Sequence, residues 1–181
     1  MRYWMMLPLC AALGACGGET APEPKAEEQA ATMAAGQWET AFEVTAMRST
    51  DTTTPAVKAA VGDKAAASTC VTEADKAKPD PAIFAGEGYT CKYAENTYIR
   101  GGRLNASLSC THEGVKGEIM MQIDGSYKGD SFEARANVNS YLPGSGDFAM
   151  TRTLKGRKTG DTCTAPATGA DGNGTVAKAG A

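Results

Sequence analysis

Four of the six cysteines, those beyond residue 16, and the one histidine are the side chains of this sequence best suited to bind a metal or act as nucleophiles. They are Cys70, Cys91, Cys110, Cys163 and His112. Structural zinc sites usually combine two close-spaced ligand pairs, whereas only Cys110 and His112 lie two residues apart and no Cys-x-x-Cys occurs. An even number of cysteines is typical of disulfides if the domain is exported, as the N-terminal residues described below predict. We therefore expect two disulfides, no metal site and no cofactor.

A predicted hairpin between Cys91 and Cys110 selects one of the three pairings that four cysteines allow. Its turn lies at residues 100–102, which read Arg-Gly-Gly. If the turn is centred on the first two of these residues, the cysteines oppose each other directly. If it is centred on the last two, they are diagonal neighbours on one face. Their side chains approach in either case, so Cys91–Cys110 is the predicted pair, and Cys70–Cys163 follows by elimination.

Residues that could form a catalytic site are otherwise scarce. Acid–base and triad chemistry usually needs a histidine with a nucleophile and an orienting acid. His112 stands between Thr111 and Glu113 at a predicted surface turn, and no glycine-rich loop has the phosphate-binding pattern. The 21 acidic residues leave a hydrolase with a carboxylate pair as the weaker alternative, although no two of them stand out. We expect a protein that is not an enzyme.

The first 15 residues have the pattern of an export signal. Arg2 supplies one positive charge, and residues 5–15 are apolar, which fits the apolar region of about 7–15 residues in such signals. The run is shorter than the about 20 residues that span a bilayer. Residues 13–16, LGAC, resemble the lipobox of bacterial lipoproteins, in which the signal is cut before a cysteine that becomes lipidated. We expect a signal peptide at 1–15 and lipidation of Cys16.

Gly17, rather than an aspartate, follows this cysteine. In the lipoproteins of enteric bacteria, which this segment resembles, such a residue favours the outer membrane over the inner one. Two or more acyl chains hold a protein stably on a bilayer. The resemblance therefore implies a bacterial envelope protein anchored in the inner leaflet of the outer membrane and facing the periplasm. An ordinary cleaved signal is the alternative.

One domain is predicted between two segments of low complexity. Residues 16–35 carry the anchor and a tether rich in Ala, Glu, Pro and Gly, and residues 164–181 are mostly Gly, Ala and Thr. Neither segment has enough apolar bulk to offset its conformational entropy. This leaves 36–163 as a single domain. The formal net charge is −3, and no basic cluster points to nucleic acid.

Strict alternation of apolar and polar residues predicts an all-β domain. It runs through 37–47, 103–111, 115–127 and 131–140, and this pattern is typical of antiparallel strands with one buried face. Residues 148–155 are the last predicted strand. Turn residues at Gly129-Asp130 place Tyr127 opposite Phe132. We expect an antiparallel meander of about six strands that forms a curved sheet or partial barrel. One or two short helices are predicted, at 72–79 and 56–67.

Four sequence features together resemble the bacterial family called domain of unknown function 3617. They are the GQWE opening at residue 36, CVTEA at residue 70, the hairpin between Cys91 and Cys110, and the closing GRKTGDTC that ends at Cys163. Members of that family are short exported proteins, often lipoproteins, of bacteria such as the sphingomonads. The resemblance covers nearly the whole domain and implies an envelope setting, but no activity.

A binding or structural module is the function that these features favour. The apolar face of a curved sheet could carry a small apolar ligand, for which Trp38, Phe42, Tyr127 and Phe132 are the candidate ligand-facing residues. The alternative is that these side chains only form the core. The solvent-exposed face of the sheet could instead bind an envelope protein, through Glu133, Arg135, Asn137, Asn139 and Lys155. The predicted partners are therefore the membrane, through the lipid anchor, and a small ligand or an envelope protein.

Overall fold

A computed structural model describes residues 32–164. The predicted signal peptide, Cys16, nearly all of the tether and all but the first residue of the tail lie outside the described residues. The described part contains eight strands and one short helix. In chain order they are β1 (Gly36–Ser49), β2 (Lys64–Val71), α1 (Ala82–Ala85), β3 (Tyr89–Tyr93), β4 (Tyr98–Arg100), β5 (Arg103–His112), β6 (Val115–Tyr127), β7 (Ser131–Tyr141) and β8 (Phe148–Gly160).

The strands form one antiparallel sheet curled into a half-barrel. Their order is β2-β1-β8-β7-β6-β5-β3, with β4 also paired to β5. The last four strands of the predicted meander correspond to β5 through β8, and Tyr127 faces Phe132 across the β6–β7 turn as expected. The sheet is larger than predicted because β1 pairs with both β8 and β2, so the first strand lies beside the last.

Both predicted disulfides are confirmed. Cys70 bonds Cys163 and Cys91 bonds Cys110, and the second pair is directly opposed on β3 and β5. The turn itself is centred on Gly101-Gly102, because Arg100 faces Arg103, and this register alone would make the cysteines diagonal. Residues 94–97 shift the register by two and so bring the cysteines opposite each other. Tyr93 pairs with Leu108 and Tyr98 pairs with Asn105, so five positions pass between β3 and β4 while three pass along β5.

Both helix predictions were wrong in position. Residues 72–79 form turns, and α1 begins only after Pro81, where a proline is well tolerated because it needs no hydrogen-bond partner for a backbone N–H. The Asp80 carboxylate accepts a hydrogen bond from the backbone N–H of Ala82 at 2.8 Å. Residues 56–67 are divided between a loop and β2, because cross-strand pairing with β1 overrides the helix propensity of alanine.

The helix covers the apolar face of the curled sheet. Ile83, Phe84 and Ala85 are fully buried, and α1 packs against β1, β2 and β3. The ring of Phe84 meets that of Phe132 edge-on, with 5.3 Å between centroids. Phe132 in turn stacks on Trp38 at 6.0 Å. A sheet with one apolar face must bury it, and here curvature and a four-residue helix achieve this together.

Candidate functional site

Strand β8 places a charged side chain on the apolar face of the sheet. Phe148, Met150 and Leu154 alternate inward along this strand and are buried. Arg152 occupies the same face and is only 7% exposed. Arginine is almost never this buried unless a partner neutralises it, so its surroundings decide what this position can do.

The guanidinium of Arg152 is held by a carbonyl, a thioether and two aromatic rings. Its Nη2 donates to the carbonyl oxygen of Ala85 at 3.1 Å and lies 3.5 Å from Sδ of Met121. Its central carbon lies 5.2 Å from the ring centre of Phe42 and 5.4 Å from that of Tyr89. Its Nε is buried and has no hydrogen-bond partner. The ring contacts are cation–π interactions, but they supply no compensating negative charge.

Within residues 32–164, no carboxylate forms an ion pair with Arg152. Burial lowers the pKa of this guanidinium, and the neighbouring Tyr89 partly opposes that shift. Burial also raises the pKa of the Tyr89 phenol, which the charge of Arg152 partly offsets. Arginine keeps its proton even so. Burying an unpaired cation reduces the stability of the fold by several kcal/mol. Each of the two ring contacts offsets about 2 kcal/mol of that loss.

A cavity of about 200 Å³ lies beside Arg152, which forms part of its lining. One part of its wall is apolar and consists of Phe42, Val44, Val57 and Met150. Drug-sized ligands occupy pockets of about 300–1,000 Å³, so this cavity suits something smaller. An apolar wall with a few polar groups is the common composition of small-molecule sites.

His112 and Tyr89 form another part of the wall. Their rings meet edge-to-face, with 4.6 Å between centroids. Nδ1 of His112 lies 2.8 Å from the carbonyl oxygen of Glu113. A carbonyl can only accept, so this contact assigns the proton to Nδ1. Cys110, which the sequence places near His112, is committed to its disulfide. Residues 32–164 contain no cluster of three or more His, Cys, Asp or Glu side chains able to hold a metal.

The four residues predicted to face a ligand divide between this cavity and the core. Phe42 lines the cavity. Trp38 is fully buried and stacked on Phe132, so it belongs to the core. Tyr127 and Phe132 are buried too, and they border a second depression of about 400 Å³ near the β6–β7 turn. There Lys155 pairs with Glu133 at 3.4 Å, so its charge is balanced, unlike that of Arg152.

The loop 50–63 forms the outer wall of the Arg152 cavity and is fastened by one aspartate. Asp51 accepts hydrogen bonds from the backbone N–H groups of Gly146 and Asp147 at 2.7 and 3.0 Å. It also accepts from the N–H and hydroxyl of Thr53 at 3.0 and 2.7 Å. Val57 and Lys58, a few residues further on, line the cavity. Asp51 therefore holds the start of this loop in place.

These hydrogen bonds hold the pKa of Asp51 far below its ordinary value of 3.8, with those from Thr53 the strongest cause. A depressed carboxyl pKa adds stability above the unfolded-state value, and that stability is lost as pH falls below it. We expect the melting temperature of Asp51→Asn to be lower at pH 7 and to change less than that of the unaltered protein below about pH 4. Thermal unfolding followed from pH 7 to pH 2 measures this. Parallel curves across that range would contradict it.

The described domain corresponds closely to a known sequence family. The model of the family described as protein of unknown function (DUF3617) matches residues 33–163. The chain belongs to this family. The DUF3617 match begins at Met33, whose side chain is buried, and ends at the disulfide-bonded Cys163. The family region therefore includes the whole sheet, α1 and both disulfides. No curated protein and no solved structure gives a significant match.

Within the described part of this DUF3617 chain, α1 is the one helix, and no helix there has the length and apolar character needed to cross a membrane. Arg152 is the site residue that sequence reasoning missed. The sequence does contain a signal for this residue. Inward and outward positions alternate through 148–154, and Arg152 occupies one of the inward positions. A charged residue in the apolar register of a predicted strand indicates either that the predicted register is wrong or that the fold buries a charge at a functional site.

Proposed function

We propose that this chain is an exported bacterial envelope lipoprotein, anchored through Cys16, whose domain binds a small ligand without catalysing a reaction. The observation that carries the binding role is the cavity beside Arg152. A buried cation with an unpartnered Nε is costly for a protein to maintain, and a ligand that pairs with it removes that cost.

The proposed location rests on the lipobox-like LGAC at 13–16 and on the cysteine chemistry. Disulfides persist in oxidising compartments such as the bacterial periplasm, and the domain contains two. The glycine after Cys16 favours the inner leaflet of the outer membrane as the anchoring surface. Residues 17–31 would link Cys16 to the domain, so the location we propose for the domain is the periplasmic side of that leaflet.

The charges in the cavity wall fit binding better than hydrolysis. A carboxylate-pair hydrolase needs two acids on either side of a scissile bond. Asp63 is the one acidic residue in the wall, and its carboxylate accepts the backbone N–H of Ala60 at 2.7 Å. The remaining charged groups are cations. A non-enzymatic binding module is therefore the function that this geometry supports best.

Native and denaturing mass spectrometry of the protein extracted from its own envelope tests the proposal. We expect the denatured mass to show cleavage before Cys16, a lipid increment and four cysteines oxidised to two disulfides. The native mass should exceed this value by one small molecule. Cys16→Ser is the matched control, and it should lose the lipid increment while retaining both disulfides and the bound molecule.

Two outcomes would contradict parts of this proposal. A denatured mass without lipid would remove the anchor. A native mass equal to the denatured one, once the chain is folded and both disulfides are intact, would remove the ligand-binding role. The polar strand faces that carry Glu133, Arg135 and Asn137 would then be the place to seek a protein partner by crosslinking.

A further inference from the structure

We infer that the cavity beside Arg152 selects a small amphiphilic monoanion, a carboxylate carried on a short or medium-length hydrocarbon chain. The inference rests on the proposed function, because it names the ligand class of the same site. It follows from the charge of the wall, the limited volume of the cavity and one buried guanidinium that has no carboxylate partner among the described residues.

The wall has an excess of positive charge. Its ionic side chains are Arg152, Lys58, Lys64 and Asp63, which is three cations against one carboxylate. Both lysines are exposed, so they border the solvent side of the cavity, and Lys64 lies 3.8 Å from the exposed Glu43. Arg152 is the one buried cation among them. A single buried positive charge is best balanced by a single negative one.

The donors of Arg152 are only partly used by the protein. Among the described residues, both of its polar contacts are made by Nη2. The buried Nε has no acceptor, although buried donors are nearly always satisfied. A guanidinium matches a carboxylate in shape and can bind it with two parallel N–H donors. An anion in this cavity would therefore supply the negative charge that Arg152 lacks.

The rest of the wall selects an apolar body for that anion. Phe42, Val44 and Met150 are buried at the cavity, and Val57 is half-buried at its outer wall. Burying apolar surface is favourable, so a hydrocarbon chain adds affinity that a free inorganic anion cannot obtain. The volume of about 200 Å³ restricts that chain to a modest length.

Isothermal titration calorimetry with three eight-carbon probes tests the inference. They are octanoate, octan-1-ol and octylammonium, which share a hydrocarbon chain and differ in charge. The protein is the full chain with Cys16→Ser, which carries no lipid. We expect octanoate to bind about a hundredfold more tightly than octan-1-ol, because octan-1-ol leaves the buried guanidinium without a negative partner. Octylammonium should bind more weakly than either.

Variants on strand β8 separate the charge of Arg152 from general effects. Arg152→Met keeps approximately the volume, and it should weaken octanoate binding about a hundredfold, so that octanoate no longer binds more tightly than octan-1-ol. Arg152→Lys keeps the charge and should restore part of the preference for the anion. Arg157→Met is the matched control, because Arg157 lies on the same strand, is exposed and pairs with Glu39; it should bind octanoate as the unaltered domain does. Circular dichroism confirms that each variant is folded.

The outcomes distinguish this inference from the proposed function. Equal binding of octanoate and octan-1-ol would overturn the anion assignment and leave the ligand-binding role standing. If Arg152→Met and Arg152→Lys both fold and retain full octanoate affinity, the anion binds elsewhere and the inference is wrong. If no probe binds and the native mass spectrum shows a bare domain, both the inference and the proposed function fail.

Discussion

Removing the Cys70–Cys163 disulfide lowers the free energy of unfolding by about 4–5 kcal/mol in the chain-entropy model of cross-links. The expected effect is large because this bond joins β2 to the segment after β8 across 93 residues. It therefore restricts almost the whole unfolded domain. The double variant Cys70→Ser with Cys163→Ser, unfolded in urea under non-reducing conditions, measures the change.

The second disulfide is the internal control for that result. Cys91 and Cys110 are 19 residues apart, so the same model gives about 3 kcal/mol for their bond. We expect the double variant Cys91→Ser with Cys110→Ser to lose less free energy of unfolding than the double variant Cys70→Ser with Cys163→Ser. The reverse order would mean that native contacts around Cys110, which is buried, outweigh the entropy of the unfolded chain.

Replacing Trp38 by alanine lowers the free energy of unfolding by about 3–5 kcal/mol, the usual loss for a large buried aromatic side chain. Trp38 is fully buried and stacks on Phe132. Its Nε1–H donates to the carbonyl oxygen of Ala34 at 2.9 Å. The substitution leaves a cavity in the core and frees the segment that precedes β1. Urea unfolding followed by circular dichroism measures the loss.

Tyr141→Ala is the matched aromatic control for this substitution. Tyr141 ends β7 and is 62% exposed, so its removal should change the free energy of unfolding by less than about 0.5 kcal/mol. Similar losses for Trp38→Ala and Tyr141→Ala would contradict the described core. A small loss for Trp38→Ala alone would mean that Phe132 and Phe84 repack into the space.

Local alternation was sufficient to predict the meander. The predicted strands at 103–111, 115–127, 131–140 and 148–155 correspond to β5 through β8, because each has one buried face and a short turn to the next. The pairing of β1 with β8 had no such local signal. It joins strands separated by most of the domain, and only the packed fold shows that their edges meet.

The errors also have physical causes. Strand β2 reads KAAASTCV, an alanine-rich sequence with good helix propensity, and it is extended because β1 offers a hydrogen-bonding edge. Thr72 and Asp75 do form a local turn, but the prolines at 79 and 81 delay the helix until Ala82. The candidate site was predicted only in part. Phe42 is among the predicted ligand-facing residues, whereas Arg152 is not among them.

Nuclear magnetic resonance of the arginine Nε–H groups is the measurement that tests the central claim most directly. The Nε of Arg152 is buried and unpartnered, so its resonance, assigned by its absence in Arg152→Met, should be distinct. We predict that octanoate shifts this resonance and that octan-1-ol at equal occupancy leaves it in place. An octanoate complex in which the Arg152 resonance stays unmoved would contradict a binding site built around this buried cation.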